Sequence, residues 1–190
     1  MVNKVGILAL QGNFEQHKLI FDILGVDNIY IRYSYDVDKC DAIVIPGGES
    51  TTMSKQIDRN NLRPVLQEYS KTNPLFGTCA GMILLSSTNV AYNLQPLDIM
   101  DFTVNRNAYG RQIESFSDDL QLNFSDDTDF HAVFIRSPKV SKIGKNIKIL
   151  AKYKKQPVMI TDGRHFVTTF HPEIGSDVRI HNYFMEQINA

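Results

Sequence analysis

Two cysteines and five histidines are the side chains of this 190-residue sequence best suited to covalent chemistry near neutral pH. Cys79 stands in Phe76-Gly77-Thr78-Cys79-Ala80-Gly81, with a glycine two residues to either side. Leu75 to Thr78 reads as an apolar strand and Ala80 to Ser87 as a helical pattern, so the thiol falls at a strand-to-helix turn. That is a nucleophile elbow with sulfur in place of oxygen. Glycines permit the tight turn and leave the side chain standing free, while the N-terminus of the following helix favours the thiolate. The amide N–H of Ala80 would then face a developing oxyanion. Taken alone, Cys79 is also compatible with a small buried hydrophobe in a Gly-containing turn. Cys40, between Lys39 and Asp41, has no such turn near it, and neither cysteine belongs to a CxxC pair, which argues against zinc.

A nucleophilic thiol needs a base. His171 ends the apolar run Phe166 to Phe170, and Glu173 follows two residues later. An extended chain turns both side chains to one side, where the carboxylate can orient the imidazole. His17 and His181 fall on predicted helices and His165 in a polar turn, positions expected to be solvated. His131 begins a strand. A third candidate segment, Pro46-Gly47-Gly48-Glu49-Ser50, follows another apolar strand. Its glycines allow close backbone approach and a second oxyanion donor; the plainer reading is a strand-to-helix loop capped by Ser50. The Lys-Ser/Thr of a phosphate-binding loop is absent.

The elements that must position these groups alternate. Strands are expected at Val5 to Leu10, Ile29 to Arg32, Ala42 to Ile45 and Leu75 to Thr78. Helices are expected over Gln16 to Leu24, where Leu19, Ile20, Ile23 and Leu24 recur at helical spacing, from about Thr51, and around Pro64. This predicts a mostly parallel central sheet flanked by helices, with active-site groups at the carboxyl ends of its strands. Short strands then follow at Phe102 to Val104, His131 to Ile135, Ile147 to Ala151, Val158 to Thr161 and Phe166 to Phe170, read as added antiparallel strands. A last helix, Val178 to Ile188, has Asp177 as its cap. No linker divides the chain, so residues 1–190 are expected to form one α/β domain.

Hydrophobic residues make up 43% of the sequence and the formal net charge is −1. That balance carries no basic footprint for nucleic acid. The early apolar run is too short to span a membrane and lacks the flanks of a secretory signal, which points to the cytosol and to free thiols.

Leu10-Gln11-Gly12, Pro46 to Thr52, Gly77 to Gly81 and His171-Pro172-Glu173 together resemble the class I glutamine amidotransferases, of flavodoxin-like fold. The strings Asn105 to Gln112 and Phe134-Ile135-Arg136-Ser137-Pro138 resemble more closely the glutaminase subunits of pyridoxal 5′-phosphate synthase, and the match spans nearly the whole chain. The resemblance implies a triad of Cys79, His171 and Glu173. It implies that Gly48, Glu49, Ser50, Arg106, Ile135 and Arg136 contact L-glutamine, and that the amides of Gly48 and Ala80 bind the oxyanion. Gln11 matches a residue near the oxyanion loop and the synthase interface. The implied partner is a separate synthase subunit, held in a hetero-oligomer, that receives ammonia; no cofactor or metal is implied for this chain. Asp98 stands where glycine is common in the family, and Ile174-Gly175-Ser176 replaces the usual polar turn. The alternatives are a glutaminase serving another pathway, a cysteine peptidase or amidase built on the same elbow, and a catalytically silent binding subunit.

Overall fold

The computed structural model describes residues 4–89, 94–105, 115–125 and 128–189. The first half alternates: β1 (Lys4–Leu8), α1 (Phe14–Ile23), β2 (Asp27–Ile31), α2 (Ser34–Val37), β3 (Ala42–Ile45), α3 (Ser50–Arg59), α4 (Leu62–Ser70), β4 (Leu75–Thr78) and α5 (Ala80–Leu85). There follow β5 (Ser86–Asn89), β6 (Met100–Asn105), β7 (Ser115–Leu120), β8 (Phe130–Ile135), β9 (Lys139–Ile143), β10 (Lys148–Tyr153), β11 (Gln156–Thr161), β12 (Phe166–Thr168) and α6 (Arg179–Asn189). Among the described residues the largest sheet has seven strands, in the order β10-β11-β12-β4-β3-β1-β2. The pairs from β2 to β12 are parallel, and β11 and β10 extend the sheet antiparallel. This is the expected class, a mostly parallel sheet with added antiparallel strands. β5, β6 and β9 form a second sheet, and β7 and β8 a third.

The central strands are buried on both faces, and their side chains alternate between two cores. Ile43 and Ile45 of β3 join Met53, Ile57, Leu66 and the α5 residues, whereas Ala42 and Val44 join Phe76, Phe21, Phe134 and Phe184. A fully buried side chain of this size stabilises the fold by roughly 1.5–3 kcal/mol, so the two layers fix the sheet between them.

Four local expectations are corrected. α1 buries His17, Ile20 and Phe21, while Leu19 and Ile23 are 60% and 70% exposed. The cap of α3 is Glu49, whose carboxylate accepts from the N–H groups of Thr51 and Thr52, so Ser50 is the first helical residue. The helix after Cys79 stops at Leu85, because Ser86 turns extended and begins β5. Asp98 has φ 55°, the left-handed region in which glycine carries no steric penalty. α6 begins at Arg179, one residue later than expected, and Val178 O accepts its first helical bond; Asp177, just before, accepts from the Arg179 N–H at 3.0 Å. No helix among the described residues is long and apolar enough to cross a membrane.

Candidate active site

Cys79 has φ 49° and ψ −99°, a strained conformation for a residue with a Cβ. Its surroundings impose it. Thr78 pairs with Thr168, and the Cys79 N–H continues that ladder by donating to Thr168 O at 2.8 Å. The Cys79 carbonyl then accepts from Ile83 N–H at 3.3 Å, which starts α5. A Cβ on Gly81 would collide with the carbonyl of Ile45, and one on Gly77 would press on the Gly81 backbone, so the two glycines let α5 descend onto β3 and β4.

Because β12 lies beside β4, the segment following it reaches the same place. His171 N–H donates to Val133 O at 2.9 Å, and Ile174 N–H to His171 O at 3.2 Å. His171 Nδ1 lies 2.7 Å from Glu173 Oε1; the residues are 4% and 3% exposed. Asn13 Nδ2 donates to the same carboxylate oxygen at 3.2 Å. With Nδ1 on Glu173, Nε2 is the nitrogen left to serve the thiol. Burial alone would lower the pKa of His171, but hydrogen bonding to Cys79 and Glu173 and their negative charge raise it to about 10. Burial pushes Glu173 up, but the facing imidazoles of His17 and His171 hold it down at about 2. The pair is therefore a protonated imidazole set against the Glu173 carboxylate, with Cys79 on the far side of the ring. The Cys79 thiol also meets Ile135 O at 3.8 Å.

These groups open on a cleft of about 440 Å³, walled by Gln11 to Asn13, Gly48 to Ser50, Cys79, Ala80, Ile83, Ile135, Arg136 and His171. The glycine loop is held from the β1–α1 turn: Asn13 N–H donates to Gly47 O at 3.0 Å and Glu49 N–H to Gln11 Oε1 at 2.8 Å. The trans peptide thus turns the Gly48 N–H away from that turn. A Cβ on Gly47 would strike the His171 ring. Glu49 lines the cleft, but its carboxylate is occupied by the cap of α3. Ser50 Oγ is buried without a protein partner among the described residues. Arg136 is exposed at the rim with φ 43°. Arg106 lies outside the described residues. The structure therefore places Cys79, His171, Glu173, Gly48, Glu49, Ser50, Ala80, Ile135, Arg136 and Gln11 in or against one cleft.

Asn13 and Ile83 join the cleft without a sequence signal of their own. The expectation that His17, His181 and His165 are solvated is overturned. His17 and His181 are wholly buried and His165 is 4% exposed, its Nδ1 accepting from the Leu75 N–H. His131 is exposed and pairs with Asp119. Among the described residues no group of three or more His, Cys, Asp or Glu is disposed to hold a metal ion.

A model of the SNO glutamine amidotransferase family matches residues 7–190. A protein of Thermosipho africanus named pyridoxal 5′-phosphate synthase subunit PdxT is 43% identical over 186 residues, covering 97% of this chain and 98% of its own length. A Francisella tularensis protein of the same name is 40% identical over 185 residues, covering 97% and 99% of the two chains. A crystal structure described as a glutamine amidotransferase superposes with a TM-score of 0.92 at 36% identity, covering 98% of this chain and 99% of the other. The crystal structure of a glutamine amidotransferase from Thermotoga maritima, covering 98% and 83%, has a TM-score of 0.60 at 12% identity, a likeness of fold.

Proposed function

Since the chain belongs to the SNO glutamine amidotransferase family, we propose that it hydrolyses L-glutamine to L-glutamate and ammonia through Cys79, His171 and Glu173. Residues 1–190 would act as one glutaminase domain, passing the ammonia to a synthase subunit that makes pyridoxal 5′-phosphate. The observation that carries the reading is the strained Cys79 elbow facing, across one cleft, an imidazole held by a buried carboxylate.

The Cys79 thiolate attacks the side-chain carboxamide carbon of glutamine, and the carbonyl π electrons move onto its oxygen. The N–H groups of Ala80 and Gly48 receive that oxyanion. As the tetrahedral adduct collapses, the C–N bond breaks and His171 gives its proton to the departing nitrogen, releasing ammonia and leaving a glutamyl thioester. Water, deprotonated by His171, then attacks the thioester, and glutamate leaves with the thiolate restored. Glu173 keeps the imidazole in one tautomer and orientation throughout. Ser50 Oγ, buried and unpartnered at the cleft, suits a polar group of the substrate, and Arg136 at the rim suits its α-carboxylate. Ile135 would wall the aliphatic part, the backbone of Glu49 would border the substrate, and Arg106 is proposed from the resemblance alone.

The test is ammonia release from glutamine, peptides and other amides, by wild type and by Cys79→Ala with the synthase present. Turnover of glutamine alone, abolished in the variant while fold and partner binding persist, is expected. Cleavage of peptides with glutamine untouched would replace the reading by a peptidase, and turnover by Cys79→Ala would remove the thiol from the mechanism.

A further inference from the structure

Glu173 is buried, yet its two oxygens are treated differently. Oε1 receives His171 Nδ1 at 2.7 Å and Asn13 Nδ2 at 3.2 Å. Oε2 has no hydrogen bond within normal distance among the described residues. What faces it is Nε2 of His17, at 3.5 Å, on an imidazole sealed from solvent. The same nitrogen is 3.2 Å from Thr78 Oγ1, in the residue just before the nucleophile. The other ring nitrogen of His17, Nδ1, lies 2.9 Å from Nε2 of His181, which is sealed as well. A string of polar groups thus runs from α6 through α1 to the thiol: His181, His17, Glu173, His171, Cys79.

Burial lowers the pKa of both His17 and His181, against the opposing pull of Glu173, so each carries a single ring proton. Two arrangements of those protons are open. If His17 is protonated at Nδ1, its Nε2 lone pair can accept from the Thr78 hydroxyl but also faces a carboxylate oxygen. His181 then accepts at Nε2 and keeps its own proton on Nδ1, an atom with no hydrogen-bond partner among the described residues. In the opposite arrangement His17 Nε2–H points between Glu173 Oε2 and Thr78 Oγ1, and His181 Nε2–H donates to His17 Nδ1. The atom left over is then a lone pair rather than an N–H. Buried orphan donors are rarer than under-satisfied acceptors, and a lone pair set against an anion is repulsive, so the second arrangement wins.

We propose that His17 is a positioning residue of the amide hydrolysis: its Nε2–H, oriented by His181, holds the second carboxylate oxygen of Glu173 and so keeps the first on His171. The proposal rests on the reading of Cys79, His171 and Glu173 given above. His17 does not line the cleft. The titratable groups facing it are Glu173 and His171 from the segment after β12 and His181 from α6. The rest of its surroundings include the Thr78 hydroxyl and the Phe76 ring. Without the N–H of His17, a buried anion loses part of its compensation and takes up a proton at higher pH, and a protonated Glu173 no longer fixes the imidazolium.

The experiment uses the full chain and three readouts. The first is the pH dependence of Cys79 alkylation by iodoacetamide, located by mass spectrometry. The second is glutamine hydrolysis with the synthase present, and the third is the long-range proton–nitrogen spectrum of the histidine rings in the wild type. His17→Leu should move the acid limb of alkylation up by about one pH unit. It should lower kcat about tenfold or more, with KM within about twofold. His17→Gln, which sets an amide N–H near the lost Nε2–H, should restore the limb. The wild-type spectrum should show His17 neutral and protonated at Nε2. An unmoved limb in folded His17→Leu, or a His17 protonated at Nδ1, overturns the proposal. Should His17→Leu fail to fold, the wild-type spectrum decides. Should the wild type release no ammonia from glutamine, the proposed function falls, and the alkylation limb and the spectrum still decide on His17.

Discussion

Burial and charge oppose one another at Glu173 and His171, and the outcome has a pH signature. The Glu173 pKa is depressed from 4.5 to about 2, so its contribution to stability is complete above 4.5 and is lost as pH falls through about 2. The His171 pKa is raised from 6.5 to about 10, so its contribution is complete below 6.5 and is lost as pH rises through about 10. Both are present between 4.5 and 6.5. Urea unfolding of wild type and Glu173→Gln across pH 4.5 to 10 should show the largest stability difference in that lower window. The difference should shrink by about 1–2 kcal/mol toward the alkaline end; a constant difference would mean that the pair does not titrate as a unit. The residues behind the pair were legible only in part. His171 and Glu173 were found because a motif surrounds them. His17 was misread because Leu19 and Ile23 advertised a different helix face, although His17, Ile20 and Phe21 share the spacing of a buried stripe. His181 repeats the case: it sits one helical turn before Phe184 and Met185, which are buried with it.

Among the elements, those carrying the chemistry were the easiest to read. β3 and β4 are buried along their whole length and followed by glycine-containing turns, and their observed bounds coincide with the expected ones. β5 was missed because Ser86 and Ser87 were read as the end of a helix, and two other strands had little burial to betray them. β7, Ser115–Leu120, is exposed along most of its length and among the described residues pairs with β8 alone, and β9, Lys139–Ile143, is half polar. α2 is a single turn, Ser34–Val37, too short for any period to register. The Glu49 cap was missed because a carboxylate two or three residues ahead of free amides does the work expected of the Ser50 hydroxyl. The contact of α5 with β3 and β4 makes its own prediction. Gly81→Ala would drive a methyl into the Ile45 carbonyl, so the midpoint of denaturant unfolding should fall by the equivalent of about 1–3 kcal/mol, and the elbow should distort with it. An unchanged midpoint would show that α5 can lift off the sheet at no cost.

At the scale of the whole molecule, the glycine loop is tied to the β1–α1 turn by the Asn13 and Gln11 hydrogen bonds, and Gln11 stands at the mouth of the cleft. A partner that touches this turn would reach the loop proposed to hold the oxyanion. The isolated chain is expected to hydrolyse glutamine slowly, and a synthase partner to raise kcat by roughly 100-fold to 1000-fold, the worth of one oxyanion donor. Measuring kcat of wild type and Gln11→Ala, each with and without saturating synthase, tests both halves of this. Full activity of the lone wild type would remove the coupling, and undiminished activation of the variant would remove Gln11 from it.

The path of the chain between Cys79 and His171 has a consequence of another kind. After α5 it leaves the large sheet for the two small ones, returns at the far edge as β10, and arrives beside β4 as β12. The spacing of thiol and imidazole is therefore set by the rungs between β4 and β12, together with the one strand of the detour, β8, whose Val133 carbonyl accepts from the His171 N–H. That detour nonetheless supplies Ile135 and Arg136 to the cleft wall. Descent can accordingly lengthen or shorten the turns of the detour and so reshape the cleft wall, while the strands that hold the two side chains, β8 among them, must be handed on together.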